Sequence, residues 1–110
     1  MTFENSAHAT AEFDALEQSL AREGAVRRKM MGRPMLALGG KMFACLDRVD
    51  MLAVKLGRDS EWHARALAIP GAEVFRPGQT EREFKDWVAI PEDQSAEWER
   101  FAVAALEHVR

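Results

Sequence analysis

A chain of 110 residues is long enough for one domain with a core of its own, so we expect a single domain over residues 1–110. Its 47% hydrophobic and 30% charged residues exclude a disordered or fibrous protein, and a net charge of −3 is unlike that of a generally basic nucleic-acid-binding protein. The single cysteine, Cys45, excludes an internal disulfide framework. The chain has neither an apolar run of ~18 residues nor a signal-peptide pattern at its start, and we therefore expect a cytoplasmic protein.

The first half of the chain has the pattern of a helix followed by four strands. Apolar residues recur at helical spacing over 7–23 and predict a helix that Gly24 ends. Gly39 and Gly40 form a two-residue hairpin signal between apolar runs, because glycine adopts positive φ at little steric cost. Short runs with strand character cover residues 25–31, 35–38, 41–46 and 51–56.

The second half predicts a short helix, two strands and a longer helix. Asp59 or Ser60 can cap the short helix, which reaches about residue 68. The strands follow at 73–75 and 84–90, and apolar residues at offsets 0, 3, 4, 7, 8 and 11 from Trp98 predict the last helix, over 93–109. The element order is α-β-β-β-β-α-β-β-α. Since consecutive strands with short turns pair antiparallel, we expect an α+β fold: an antiparallel sheet of about five to six strands with helices packed on one face.

Residues that carry chemistry are sparse and scattered. The chain has no glycine-rich phosphate-binding loop, and its three histidines, His8, His63 and His108, fall in separate predicted helices, where a surface position is favoured. Cys45 lies in an apolar strand and is interpreted as a buried, inert thiol. We therefore expect no catalytic residue, no metal site, no cofactor and no enzymatic activity.

Five methionines, at positions 30, 31, 35, 42 and 51, concentrate in the predicted sheet. Core filling is the favoured interpretation, because methionine adapts its shape to irregular gaps. A partner-binding methionine surface is the alternative.

Residues 22–41, hereafter the basic segment, carry six basic residues against one acidic residue, a net charge of +5 that leaves −8 for the rest of the chain. Alternation along a strand predicts that Arg27 and Lys29 share one face and that Arg28 lies on the other. Together with Arg33, these residues are the candidate contacts to a protein partner or to nucleic acid. A solvated strand face without a partner is the competing interpretation.

Three stretches, taken in order, resemble the TfoX/Sxy N-terminal domain family. The resemblance covers about residues 22–109, and its order and spacing are more specific than any single motif. The stretches are residues 28–34 (RKMMGRP), 40–44 with 50–56 (GKMFA and DMLAVKL), and 70–75 with 84–91 (PGAEVF and FKDWVAIP).

The resemblance implies a small α+β domain and brings no catalytic residue or cofactor. Named members of the family are regulators of natural competence that act on transcription with the cyclic-AMP receptor protein, and they carry a second domain. The chain ends at Arg110, so it is more similar to the stand-alone members.

We accordingly expect a non-enzymatic interaction module, linked to transcription and acting through an unidentified protein partner. A nucleic-acid-binding module that uses the basic segment, and a small-molecule binder with a pocket between sheet and helices, are the alternatives. A homodimer is also left open, and no membrane association is expected.

Overall fold

The computed structural model describes residues 5–30, 32–77 and 81–110, so Met31 and Gly78, which the sequence places in a strand and a loop, lie outside the described residues. Three helices and six strands follow in the predicted order. Their bounds are α1 Ala7–Leu20, β1 Val26–Met30, β2 Arg33–Leu38, β3 Lys41–Leu46, β4 Leu52–Lys55, α2 Glu61–Leu67, β5 Glu73–Phe75, β6 Phe84–Ile90 and α3 Trp98–Val109.

The six strands form one antiparallel sheet in the order β1-β2-β3-β4-β6-β5, which confirms the predicted α+β class. Sequential neighbours pair through short turns, and the one departure is that β6 lies between β4 and β5. The connection from β4 to β5 is long enough to hold α2, which lets β5 take the outer position. The edges of the sheet are therefore β1 and β5.

The helices share one core with one face of the sheet. Leu52 and Val54 of β4 point into this core, whereas Ala53 between them points to the opposite face, as strand alternation requires. The stripe of α3 that begins at Trp98 packs into the same core, where the indole Nε1 of Trp98 donates to the carbonyl of Ile90 at 3.2 Å. Full burial of a large apolar side chain stabilises a fold by roughly 1.5–3 kcal/mol, so Trp98 holds α3 on the sheet, and its hydrogen bond fixes the start of the helix to β6.

The last helix begins later than its sequence pattern predicts. Residues Glu92–Glu97 form 3₁₀ turns with a kink at Gln94, where φ is −112° and ψ is 25°, and the regular α-helix starts at Trp98. The apolar stripe itself begins at Trp98, so nothing in the core holds the preceding turn in α-helical geometry. The prediction of a helix from residue 93 is wrong by one to two turns.

A β-bulge in β3 brings two consecutive side chains into the core. Leu36 of β2 lies opposite Ala44 and Ala37 lies opposite Met42, so Phe43 has no partner in the ladder. Phe43 and Ala44 both belong to the main core and are both fully buried. The extra residue thus turns the Phe43 ring towards the helices instead of the opposite face.

The turn between β2 and β3 is the predicted hairpin, with φ of 58° at Gly39 and 82° at Gly40. Two successive positive φ values are typical of the tight turns that match the twist of paired strands. We expect replacement of both glycines by valine to destabilise the domain by at least ~1–2 kcal/mol, because a β-branched residue is strained at positive φ. Chemical denaturation measures the change.

Asparagine at position 39 provides the control, since asparagine tolerates positive φ and Asn-Gly is a preferred hairpin pair. The Gly39→Asn variant should unfold at nearly the wild-type denaturant concentration. An unchanged midpoint and slope in the double valine variant would contradict the assigned turn.

Candidate interaction site on the sheet

The edge strand β1 carries three of the four candidate contact residues, and all five of its residues are exposed. Its register confirms the predicted division into two faces. Arg28 lies opposite Met35, which packs on the side of the sheet away from the helices. Arg27 lies on the other face, where it meets α1.

Arg27 is held by acidic residues of α1. One of its guanidinium nitrogens lies 2.8 Å from a carboxylate oxygen of Asp14 and 2.8 Å from one of Glu17, and the guanidinium carbon is 5.2 Å from the centre of the Phe13 ring. The hydrogen bonds to Glu17 and then to Asp14 raise the pKa of Arg27 above its ordinary value. Arg27 therefore fastens β1 to α1, and its charge is already neutralised by the protein itself.

Arg33 is committed to the backbone of β3. Its Nε and Nη2 donate to the carbonyl of Leu46 at 3.2 and 3.1 Å, and Nη2 also donates to the side chain of Asn5. Met35 lies opposite Cys45, so the same β2–β3 register puts Pro34 opposite Leu46. Proline has no N–H to donate to the carbonyl of Leu46. The guanidinium of Arg33 supplies the donor that proline lacks, so this residue has a structural role.

Arg28 and Lys29 remain as the exposed cations of the strand. Within the ranges that the structure covers, neither residue takes part in an ion pair or a side-chain hydrogen bond. They point to opposite faces of β1. The four sequence candidates thus divide into two that hold the fold together and two that are available to a partner, and they do not form one continuous basic surface.

The face of the sheet that carries no helix has a small apolar cluster of its own. Cys45, Ala53, Ala89 and Phe75, from four different strands, form this cluster, and the half-buried Met35, Met51 and Trp87 pack against it. None of the described helices contributes a residue to it. We refer to this surface, from Arg28 on β1 to Glu73 on β5, as the helix-free face.

One row of paired positions crosses the helix-free face from edge to edge. Residues in the row are Arg28, Met35, Cys45, Ala53, Ala89 and Glu73, each opposite the next. The three central side chains are small and the larger ones stand around them, so the centre is lower than its surroundings. The larger side chains that border the row are partly exposed.

Four of the methionines that the sequence places in the sheet are described by the structure, and they lie outside the main core. Met30 is 45% exposed, and Met35, Met42 and Met51 are half-buried. None of these four lies in the core that the helices cover. Met35 and Met51 instead fill the border of the smaller apolar cluster on the side of the sheet away from the helices, so core filling applies to that cluster and not to the main core.

The three histidines differ in burial, although the sequence predicts a surface position for each. His63 is buried, and its Nε2 donates to the carbonyl of Lys85 at 2.8 Å, which ties α2 to β6. The prediction of a surface position is wrong for this residue, because the polar ring satisfies a strand carbonyl 22 positions away. His8 and His108 are exposed as predicted.

Ser6, His8 and Glu92 form a cluster that has the residue types of a nucleophile and a base but lacks a serine–histidine hydrogen bond. Ser6 donates to a carboxylate oxygen of Glu92, and Nδ1 of His8 lies 3.0 Å from the same oxygen. The serine Oγ also accepts from the backbone N–H of Ala9 at 3.0 Å, as the cap of α1. Serine and histidine thus share the carboxylate instead of contacting each other, and the cluster fastens the start of α1 to the 3₁₀ segment that follows β6.

Two open grooves border α2 and α3, with volumes of about 470 and 570 Å³. Arg100 lines both, and the guanidinium carbons of Arg65 and Arg100 lie 5.2 and 5.5 Å from the centre of the Trp62 ring. These grooves lie in the helix layer, so they differ from the pocket between sheet and helices that the sequence suggests. No group of three potential metal ligands occurs among the described residues, nor does any described helix have the length and apolar character needed to cross a bilayer.

Cys45 is inaccessible in the centre of the helix-free face, with 1% of its surface exposed. Burial raises the pKa of its thiol to about 12, and the nearby negative charge of Asp47 acts in the same direction. A thiolate is therefore scarce at neutral pH, which confirms the expectation of a buried thiol.

We expect native protein to resist a thiol reagent at neutral pH and unfolded protein to react promptly. An absorbance assay of thiol modification, with and without denaturant, makes the comparison. The matched control is a Cys45→Ala variant with Val103→Cys, since position 103 on α3 is 42% exposed and should react in the native state. Equally fast labelling of native wild-type protein would indicate an accessible thiolate and contradict the burial.

Comparison with known proteins assigns no family to the chain. No protein-family model matches it, no curated protein matches it, and no solved structure matches it. The geometry of the sheet therefore provides the basis for a functional proposal.

Proposed function

We propose that this chain is a non-enzymatic interaction module that binds a protein partner through the helix-free face. The observation that carries the proposal is a sheet face that holds partly exposed methionine and tryptophan side chains and that none of the described helices covers. A role linked to transcription belongs to the proposal through the resemblance to the TfoX N-terminal domain alone.

The side chains of this face suit contact with another protein. Full burial of a fully exposed large apolar side chain contributes roughly 1.5–3 kcal/mol to binding. Trp87 and the half-buried methionines would contribute the share of this energy that corresponds to the area they still expose to water. Methionine also adapts its shape to a partner. Aromatic residues and methionine are enriched in the buried centres of interfaces, and the charges of Arg28 and Glu73 stand at the two ends, as in a polar rim.

A nucleic-acid-binding role is the second candidate, and the geometry of the basic segment favours it less. Arg27 is neutralised by Asp14 and Glu17, and Arg33 is engaged with a backbone carbonyl. The rest of the chain carries a charge of −8 beside the segment. A polyanion would therefore lose Arg27 and Arg33 as contacts. The other cations of the segment are dispersed, with Arg28 and Lys29 on opposite sides of one strand and Arg22 and Lys41 on other elements, against a repelling background.

We expect negligible affinity for labelled duplex and single-stranded DNA at about 50 and 200 mM salt, measured by fluorescence anisotropy. If Arg28 and Lys29 both contacted phosphates, the logarithm of the binding constant would fall with a slope of about −1.8 against the logarithm of salt concentration. Micromolar binding at the lower salt, lost in a folded Arg28→Ala/Lys29→Ala variant, would overturn the preference for a protein partner.

The main test compares affinity capture from native cells by wild-type protein and by variants of the two surfaces. Met35→Gln and Trp87→Gln place a polar amide on the helix-free face, and Val103→Gln does so on the exposed side of α3. We expect the captured protein to be lost or strongly reduced with the first two variants and retained with the third, because only the first two remove apolar contact area at the proposed interface. Thermal denaturation establishes which variants are folded.

Quantitative mass spectrometry of the captured material gives the readout. Equal recovery with all three folded variants would contradict an interface on the helix-free face. Recovery of nucleic acid in place of protein would support the second candidate.

A further inference from the structure

At the outer edge of β1, alternate residues direct unpaired backbone N–H and C=O groups away from the sheet. Lys29 lies opposite Pro34, and proline has no N–H, so these two residues cannot exchange a pair of ladder hydrogen bonds. In an antiparallel ladder the hydrogen-bonded and non-hydrogen-bonded pairs alternate. Arg28 and Met30 therefore direct their backbone groups towards β2, whereas Arg27 and Lys29 direct theirs outwards.

The two edges of the sheet differ in their capacity to pair. The ladder between β1 and β2 runs through five consecutive pairs without a shift in register. At the opposite edge, β5 has three residues, and its pairing with β6 is interrupted by a register shift next to Phe75. Short and irregular edges resist further pairing, so β1 is the edge suited to receive another strand.

The exposed side chains of β1 include apolar as well as charged ones. Val26 and Met30, 46% and 45% exposed, stand on the helix-free face on either side of Arg28. An edge protected only against aggregation would carry polar residues there. The anchoring of Arg27 to α1 keeps the strand in place, so a partner would meet an ordered template.

Charge selects the chemistry of the added strand. Arg28 and Lys29 have no ionic partner within the described part of the chain. Antiparallel pairing of β1 with a second copy of itself would bring these cations against one another, and like charges on facing strands are destabilising. An acidic strand, by contrast, would neutralise both.

We propose that β1 binds an acidic, extended segment of a partner protein, which adds to the sheet as a seventh strand. This inference rests on the proposed function, since it names the partner's chemistry and extends its contact from the helix-free face to the adjoining edge. The segment places carboxylates beside Arg28 and Lys29 and apolar side chains beside Val26 and Met30. Backbone hydrogen bonds to Arg27 and Lys29 hold it.

Synthetic peptides of about seven residues, fluorescently labelled, test the proposal by polarisation. The first has the central order Val-Thr-Glu-Glu-Val, the second has lysine for glutamate, and the third replaces the central threonine of the first by proline. We expect saturable binding of the first peptide alone. In NMR spectra, the amide protons of Arg27 and Lys29 should gain protection from exchange with water when it binds.

Variants of position 29 separate the backbone contact from the charge. Lys29→Pro removes an outward N–H while leaving the pairing with β2 intact, and proline is tolerated on an edge strand with its nitrogen facing solvent. We expect this variant to bind the acidic peptide about tenfold more weakly or worse. Lys29→Gln keeps the N–H and should lose only about threefold, as expected for an exposed ion pair. Arg28→Glu should shift the preference to the lysine peptide.

Three outcomes would overturn the proposal: equal binding by the Lys29→Pro variant, equal binding of all three peptides, or no binding of any of them. Self-association of the free chain that Lys29→Pro abolishes, seen by sedimentation, would put a second copy in place of the acidic partner. If cellular capture depends on Met35 and Trp87 while Lys29→Pro has no effect on it, the interaction module stands and the edge-strand inference fails.

Discussion

Burial of the α3 stripe against β3 and β4 is the contact from which the remaining architecture follows. The stripe needs a continuous apolar surface opposite it, and Leu52, Val54 and Ala44 provide one because alternate residues of both strands point the same way. The bulge at Phe43 widens this surface by one aromatic ring. A hydrophobic contact of this extent sets the register of the central strands, since a slip by one residue would turn every apolar side chain to the wrong face.

Placing all three helices on one face leaves the other face of the sheet to its own side chains. The centre of that face consists of small residues such as Cys45 and Ala53, which Met35, Met51 and Trp87 border and which no helix among residues 5–30, 32–77 and 81–110 covers. The cluster excludes water from the Cys45 thiol, yet the side chains at its border remain partly exposed to solvent. The asymmetry between the faces is thus what distinguishes a structural side of the domain from a side available for contact.

The basic segment shows how a locally high charge can be used by the fold itself. Arg27 joins an edge strand to α1, and Arg33 satisfies a β3 carbonyl beside Pro34. Because both guanidiniums make several contacts with groups on other elements, their replacement would affect stability as well as surface potential. Arg28 and Lys29, the other two cations of β1, make no such contact within the described residues, which gives this edge of the sheet its positive character.

The sequence by itself determined the order of the elements, their antiparallel pairing, the Gly39–Gly40 hairpin and the two faces of β1, because each depends on periodicity or turn geometry within a few residues. It also indicated that Cys45 is buried. Only the tertiary structure decided which cations form ion pairs within the protein, that His63 is buried, and that Met35 and Met51 pack on the face away from the helices. Those properties depend on contacts such as Arg27 with Asp14, 13 positions apart, and His63 with Lys85, 22 apart, which no local pattern specifies.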